Sequence, residues 1–283
     1  MAEVVEFRVP TGSARTLLVW GLEPNPSLEH SLFSVFSRFG LLYSLRAHSN
    51  AAVAGPGFYA VVKFYSAADA SRAQRACHGH SLFQEAPVKV CLCTKQSGFQ
   101  QQVLALSSTK CQELANHYLG FSGWSSRILT LQNVSGLDGE RKEVGKPSQR
   151  QSVKFLCAME VTVPSHGVCS RGVALGEADV EDGEGPLQFL TATRRAQKLA
   201  VGKALSSSFQ KILLVVLENG KVTVEYNCCQ EEPTDLLTEE ELKGLIEVND
   251  LSLEQFDLDE EEGEEVLSDL SLEEELLQLA DAS

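Results

Sequence analysis

The chain has 283 residues, 43% of them hydrophobic, and a formal charge of −15. That length suits two modest domains, and the apolar fraction is enough for two cores. No stretch approaches the run of about eighteen apolar residues that a membrane span needs, and the start MAEVVEFRVP lacks a basic region followed by an apolar run, so a soluble intracellular protein is expected.

The charge is uneven. Residues 231–283 hold 21 Asp and Glu against the single Lys243, a net of −20, whereas residues 1–230 hold 23 bases and 18 acids, a net of +5. A mildly basic body carries a strongly acidic tail. Cys77, Cys91, Cys93, Cys111, Cys157, Cys169, Cys228 and Cys229 lie mostly in apolar stretches, where a reduced thiol acts as a small hydrophobe. None forms a Cys-x-x-Cys pair, so neither a structural metal nor a cofactor is expected.

The first predicted domain spans residues 14–94. TLLVWGL over residues 16–22 reads as a strand, and Asn25-Pro26-Ser27 ends it and offers Ser27 as a helix N-cap. Leu28, Leu32, Val35, Phe36 and Phe39 recur at helical spacing, and Gly40 stops the pattern. A strand over residues 41–46 follows, then a loop to Pro56. GFYAVVKF over residues 57–64 is the next strand, with Ala60, Val62 and Phe64 on one face and Tyr59, Val61 and Lys63 on the other. Small residues Ala70, Ala73, Ala76 and Cys77 mark a second helix over about residues 67–77, and residues 88–92 close the domain as a strand.

The order strand, helix, two strands, helix, strand, with LLVWGL and GFYAVVKF in the two signature positions, resembles an RNA recognition motif. The resemblance implies a βαββαβ ferredoxin-like sandwich whose central strands offer rings to unpaired bases. Leu18 and Val61 stand where that family has rings, and Tyr59 keeps one. Trp20, two residues after Leu18 on the same face, is the expected substitute, and Lys63 a phosphate contact. The other reading is that Trp20 and Tyr59 pack against a terminal segment or a partner protein.

The second predicted domain spans residues 104–228. Cys111, Leu114, Ala115, Tyr118 and Leu119 line one face of a helix over residues 110–119, ended by the turn GFSGW. Extended chain is expected at 128–131, a polar loop at 134–151, and a strand at 153–163 where Val153, Phe155, Cys157, Met159, Val161 and Val163 alternate with outward residues. A Gly-rich acidic connection through residues 172–185 then leads to a helix over about residues 190–209. Asn219-Gly220 predicts a two-residue hairpin turn between strands 212–217 and 222–226.

KCQELANHYLGFSGWSSRI, FLCAMEVTV and RRAQKLAVGKAL resemble the strand-annealing domain of the Rad fifty-two recombination proteins. Behind a recognition motif, the arrangement resembles a vertebrate family that carries a Rad fifty-two motif. That resemblance implies an α+β module presenting cations to single strands, a role in DNA repair or recombination, residence in nucleus and cytoplasm, and a homodimer or small homo-oligomer. Lys110, Arg127, Lys154, Arg194, Arg195 and Lys198 are the candidate phosphate contacts. Each alone reads as a solvated cation, whereas Arg194, Arg195 and Lys198 on adjacent turns of one helix can follow several phosphates.

No enzyme is expected. The stretch 139–147, GERKEVGKP, has the wrong spacing for a phosphate loop, and Pro147 stands where a metal-binding hydroxyl belongs. The tail, residues 231–283, has too few large apolar groups for a core and is expected to be disordered. Its leucines 267, 270, 272, 276, 277 and 279 suit a protein partner or an export signal, its charge suits competition with nucleic acid, and Ser271 suits phosphorylation. The expected function is non-catalytic binding of single-stranded DNA and RNA. The alternative is an adaptor whose recognition motif has turned to protein binding.

Overall fold

The computed structural model describes residues 2–51, 56–93, 104–135, 152–180 and 186–227. The expectations for the tail, for the loop beyond residue 135 with its glycine-lysine stretch, and for Cys228 and Cys229 lie outside them. The described chain forms two units, residues 9–93 and residues 2–8 with 104–227.

In the first unit the elements are β2 (Thr16–Leu22), α1 (Leu28–Phe36), β3 (Leu42–Ser49), β4 (Phe58–Phe64), α2 (Ala67–Cys77) and β5 (Lys89–Leu92). The strands lie in the order β3-β4-β2-β5, every neighbour antiparallel. This is the βαββαβ order expected from the sequence, with the two signature strands at the centre. Strand alternation sends Leu17, Val19, Ala60, Val62, Phe64 and Val90 to one face. There they are sealed by Leu28, Leu32 and Phe36 of α1 and by Ala70, Ala73 and Cys77 of α2. Fully burying each large aliphatic or aromatic group contributes about 1.5–3 kcal/mol. Ser27 stands at the N-cap of α1, but its hydroxyl donates to Asn25 Oδ1 at 3.0 Å instead of capping the helix. Ser66 does cap α2, its Oγ accepting from the Asp69 N–H.

The second unit begins with a strand not expected from the sequence. β1 (Ala2–Glu6) pairs antiparallel with β9 (Ile212–Leu217), whose other edge takes β10 (Val222–Tyr226). The first unit is therefore inserted between β1 and the rest of the second. Val5 and Phe7 are wholly buried, and the Phe7 ring stacks on Phe209 with centroids 4.7 Å apart. Between them in sequence run α3 (Ser108–Leu119), β6 (Ser125–Asn133), β7 (Ser152–Val163), β8 (Val168–Asp179) and α4 (Pro186–Gln210). β6, β7 and β8 make one antiparallel sheet in that order.

Two expectations need correction here. The connection expected through residues 172–185 is, as far as Asp179, the strand β8. Its glycines, which suggested a loop, are instead where α4 lies against the sheet. A Cβ on Gly172 would fall 2.3 Å from the Ala204 carbonyl oxygen, and one on Gly176 2.2 Å from that of Ala196. Ala196, Ala200 and Ala204 supply the matching small surface on the helix. The hairpin also differs from a two-residue turn. Leu217 N–H donates to Lys221 O and Gly220 N–H to Leu217 O, leaving a three-residue loop in which Gly220 alone has positive φ, 77°. Asn219 keeps ordinary backbone angles, and its Oδ1 accepts from Lys221 N–H.

Candidate nucleic-acid interface

The face of the first sheet away from its helices is built by cross-strand pairs. Trp20 stands opposite Tyr59 on one side and Lys89 on the other, Tyr59 opposite His48, and Val61 opposite Arg46 and Leu18. Trp20 is 37% exposed, as a stacking ring requires. Tyr59 and Lys63 are not open: they are 9% and 5% exposed. With Leu18 and Val61 in ring positions, the aliphatic groups and Cys93 cluster around Tyr59, while the His48 ring lies 5.2 Å from it. Lys63 is drawn toward the Tyr43 ring, its Nζ 6.0 Å from the centroid. The face has become a minor core with Trp20 at its edge. Arg46 and Lys89, both exposed, flank it. Neither was singled out from sequence, although the alternation along β3 and β5 puts both on this face.

The second unit separates its cations into two sets. Lys110 Nζ bonds Glu113 at 3.1 Å, and Lys154 Nζ lies 3.4 Å from Glu177. Arg127 donates from Nε to Glu160 Oε1 at 2.7 Å, and Arg171 from Nε to Oε2 at 2.9 Å. Burial alone would raise the Glu160 pKa, but the hydrogen bonds from Arg127, Arg171 and Cys169 reverse that and hold it below the usual carboxylate value. Lys110, Arg127 and Lys154, expected to meet phosphate, are engaged with carboxylates of the same fold, as is Arg171.

The other set sits on α4. Its 25 residues carry Arg194, Arg195, Lys198 and Lys203 and not one Asp or Glu. Arg194, Arg195 and Lys203 are exposed and Lys198 half-exposed, while Ala192, Ala196 and Ala200 turn inward. Arg194 has no carboxylate partner among the described residues. Of the six cations singled out in this unit, the structure brings these three together on one outward surface. Trp124 is a packing group. Trp124 donates from Nε1 to Asn116 Oδ1 at 2.8 Å and meets Phe209 edge-on.

Nucleophilic chemistry finds little purchase among the buried thiols: burial pushes Cys157 up to about 12 and raises Cys111 further, so both stay protonated. No group of three or more His, Cys, Asp and Glu placed to hold a metal occurs among the described residues.

Comparison with known proteins places the chain. RAD52 motif-containing protein 1 of Gallus gallus is 75% identical over 276 residues, covering 98% of this chain and 97% of that protein. The chain belongs to the RAD52 motif-containing protein 1 family. Members from Homo sapiens and Danio rerio are 53% and 42% identical, covering 99% and 88% of this chain and 99% and 89% of their own. Residues 106–213, from the lead into α3 to the start of β9, match the family model described as the RDM1 DSRM domain. Among solved structures, the RRM3 domain of Mip6 is 22% identical with a TM-score of 0.26, covering 29% of this chain and 98% of its own. The RRM domain of S. pombe Puf1 is 24% identical with a TM-score of 0.24, covering 30% and 95%.

Proposed function

We propose that this family member binds nucleic acid without catalysing a reaction, gripping the phosphate backbone with α4 and touching bases with Trp20, in the service of DNA repair or recombination in nucleus and cytoplasm. The observation that carries the reading is the acid-free helix α4 with Arg194, Arg195 and Lys198 on adjacent turns. A cation run of this kind tracks phosphates, and its release of counterions makes affinity depend steeply on salt. The recognition-motif topology and the match of residues 106–213 to the DSRM domain model support nucleic acid as the ligand class. The repair role is supported by the RAD52 motif in the family name and by the resemblance of residues 110–128 to a strand-annealing domain.

Single-stranded DNA and RNA are the proposed ligands because Trp20 offers a ring face that every unpaired base can use. The buried Tyr59 and Lys63 favour a second reading, an adaptor whose first sheet receives protein. Titrating the full chain with single-stranded DNA, single-stranded RNA and a duplex at two salt concentrations separates them. Arg194→Glu with Arg195→Glu and Lys198→Glu is expected to weaken single-strand binding at least tenfold and flatten its salt slope by about 0.7 per lost contact. Binding indifferent to both salt and the triple change would leave the adaptor.

A further inference from the structure

The first turns of α4 hold more open apolar surface than phosphate binding explains. Leu187 is 75% exposed and Leu190 55%. Positions 187, 190, 194 and 198 follow one another at three- and four-residue intervals, so Leu187, Leu190, Arg194 and Lys198 form one stripe, apolar at its start and cationic beyond, with Arg195 beside it. Adjacent exposed leucines bordered by cations ask for an occupant that is both apolar and acidic.

The chain contains such a segment. Residues 267–279 read LSDLSLEEELLQL, where Leu272, Leu276 and Leu279 recur at helical spacing and Glu273, Glu274 and Glu275 stand between them. The electrostatic sense is right as well, since the body carries +5 and residues 231–283 carry −20. Reach is not limiting. Forty residues separate Tyr226, the end of β10, from Leu267, and a chain of that length without fixed structure would span about 35 Å on average. A body of this unit's size has a radius of gyration of about 14 Å. Tethering at such range gives an effective concentration on the order of 1 mM, enough to fill the stripe even through a weak contact.

We infer that residues 267–279 dock on the Leu187, Leu190, Arg194 and Lys198 stripe of α4, leucines against leucines and glutamates against cations. The docked segment covers the cations assigned above to phosphate, so it and nucleic acid exclude each other. The docking itself requires no nucleic acid.

Amide hydrogen exchange of the full chain, read by mass spectrometry without any oligonucleotide, tests it. Replacing Leu272, Leu276 and Leu279 together by Ser is expected to speed exchange across residues 187–198 at least threefold. The reciprocal pair Leu187→Ser and Leu190→Ser, both at exposed positions, is expected to speed exchange across residues 267–279. Exchange unchanged in both variants overturns the docking. Protection that strengthens with protein concentration also overturns it, by assigning the stripe to a second copy of the chain. Since no oligonucleotide enters the measurement, its failure leaves the phosphate reading standing, and failure of the oligonucleotide titration leaves the docking standing.

Discussion

Arg127 on β6 and Glu160 on β7 are cross-strand neighbours whose Nε and Oε1 atoms meet at 2.7 Å. Arg171 from β8 grips the other carboxylate oxygen, so one acid ties three strands together. Glu160 is 5% exposed, which makes the acid the costly member to lose. Glu160→Ala is expected to destabilise the second unit by about 2–3 kcal/mol, less than a fully buried pair because Arg127 is half exposed to water. Arg127→Ala should cost less, and should leave the salt slope of single-strand binding unchanged. Urea denaturation and oligonucleotide titration measure the two effects, and a flattened slope would put Arg127 back among the phosphate contacts.

The same acid sets a pH dependence. Its folded pKa is depressed, so its share of stability is complete above the unfolded carboxylate value of about 4 and fades as pH falls through the lower folded value. Thermal midpoints of the second unit measured between pH 7 and pH 3 should therefore fall more steeply in the parent than in Glu160→Gln, which has no proton to gain there.

How far the sequence revealed this architecture depends on the range over which each signal acts. Helix stripes such as Leu28, Leu32 and Phe36 and strand alternation such as Cys157, Met159 and Val161 are local, and the elements they imply are present. β1 was silent because five residues at the start of the chain carry no partner information; what fixes them is β9, more than 200 residues later. β8 was hidden because Gly172 and Gly176 disfavour a strand locally and are demanded only by the nearness of α4. In the candidate interface, clustering on one helix was legible for Arg194, Arg195 and Lys198. The engagement of Lys110, Arg127 and Lys154 with Glu113, Glu160 and Glu177 was not, because two of those three pairs lie across strands whose register only the fold sets.

The glycines of β8 make a packing prediction. At Gly176 a methyl group would meet Ala196 O and Ala200 N, backbone atoms that cannot swing aside as a side chain can. Gly176→Ala is therefore expected to destabilise the second unit by roughly 3 kcal/mol. The first unit, which does not contain this contact, should keep its own transition; differential scanning calorimetry of the full chain resolves the two.

Phe7 tests whether the chain's start is an integral part of the second unit. Its ring is wholly buried and stacked on Phe209, which in turn meets Trp124. Phe7→Ala should cost about 3–5 kcal/mol and shift the Trp124 emission toward that of an exposed indole. A variant lacking residues 1–8 should do the same. Loss of neither stability nor emission wavelength would mean that β1 is an ornament on a sheet that stands without it.

Trp20 and Tyr59 face each other across β2 and β4, yet they make opposite predictions because one is open and the other covered. Trp20→Ala should leave the melting of the first unit nearly unchanged and weaken single-strand binding by roughly 1–3 kcal/mol, the worth of one stacked base. Tyr59→Ala should do the reverse, loosening the cluster with Leu18, Val61 and Cys93 while affinity in the folded fraction holds. The chain has two tryptophans, so a Trp124→Phe background isolates the Trp20 signal. Quenching of that signal by single-stranded DNA or RNA is the expected result. A signal unmoved at saturating oligonucleotide would remove base stacking from the mechanism and leave α4 to bind the backbone alone.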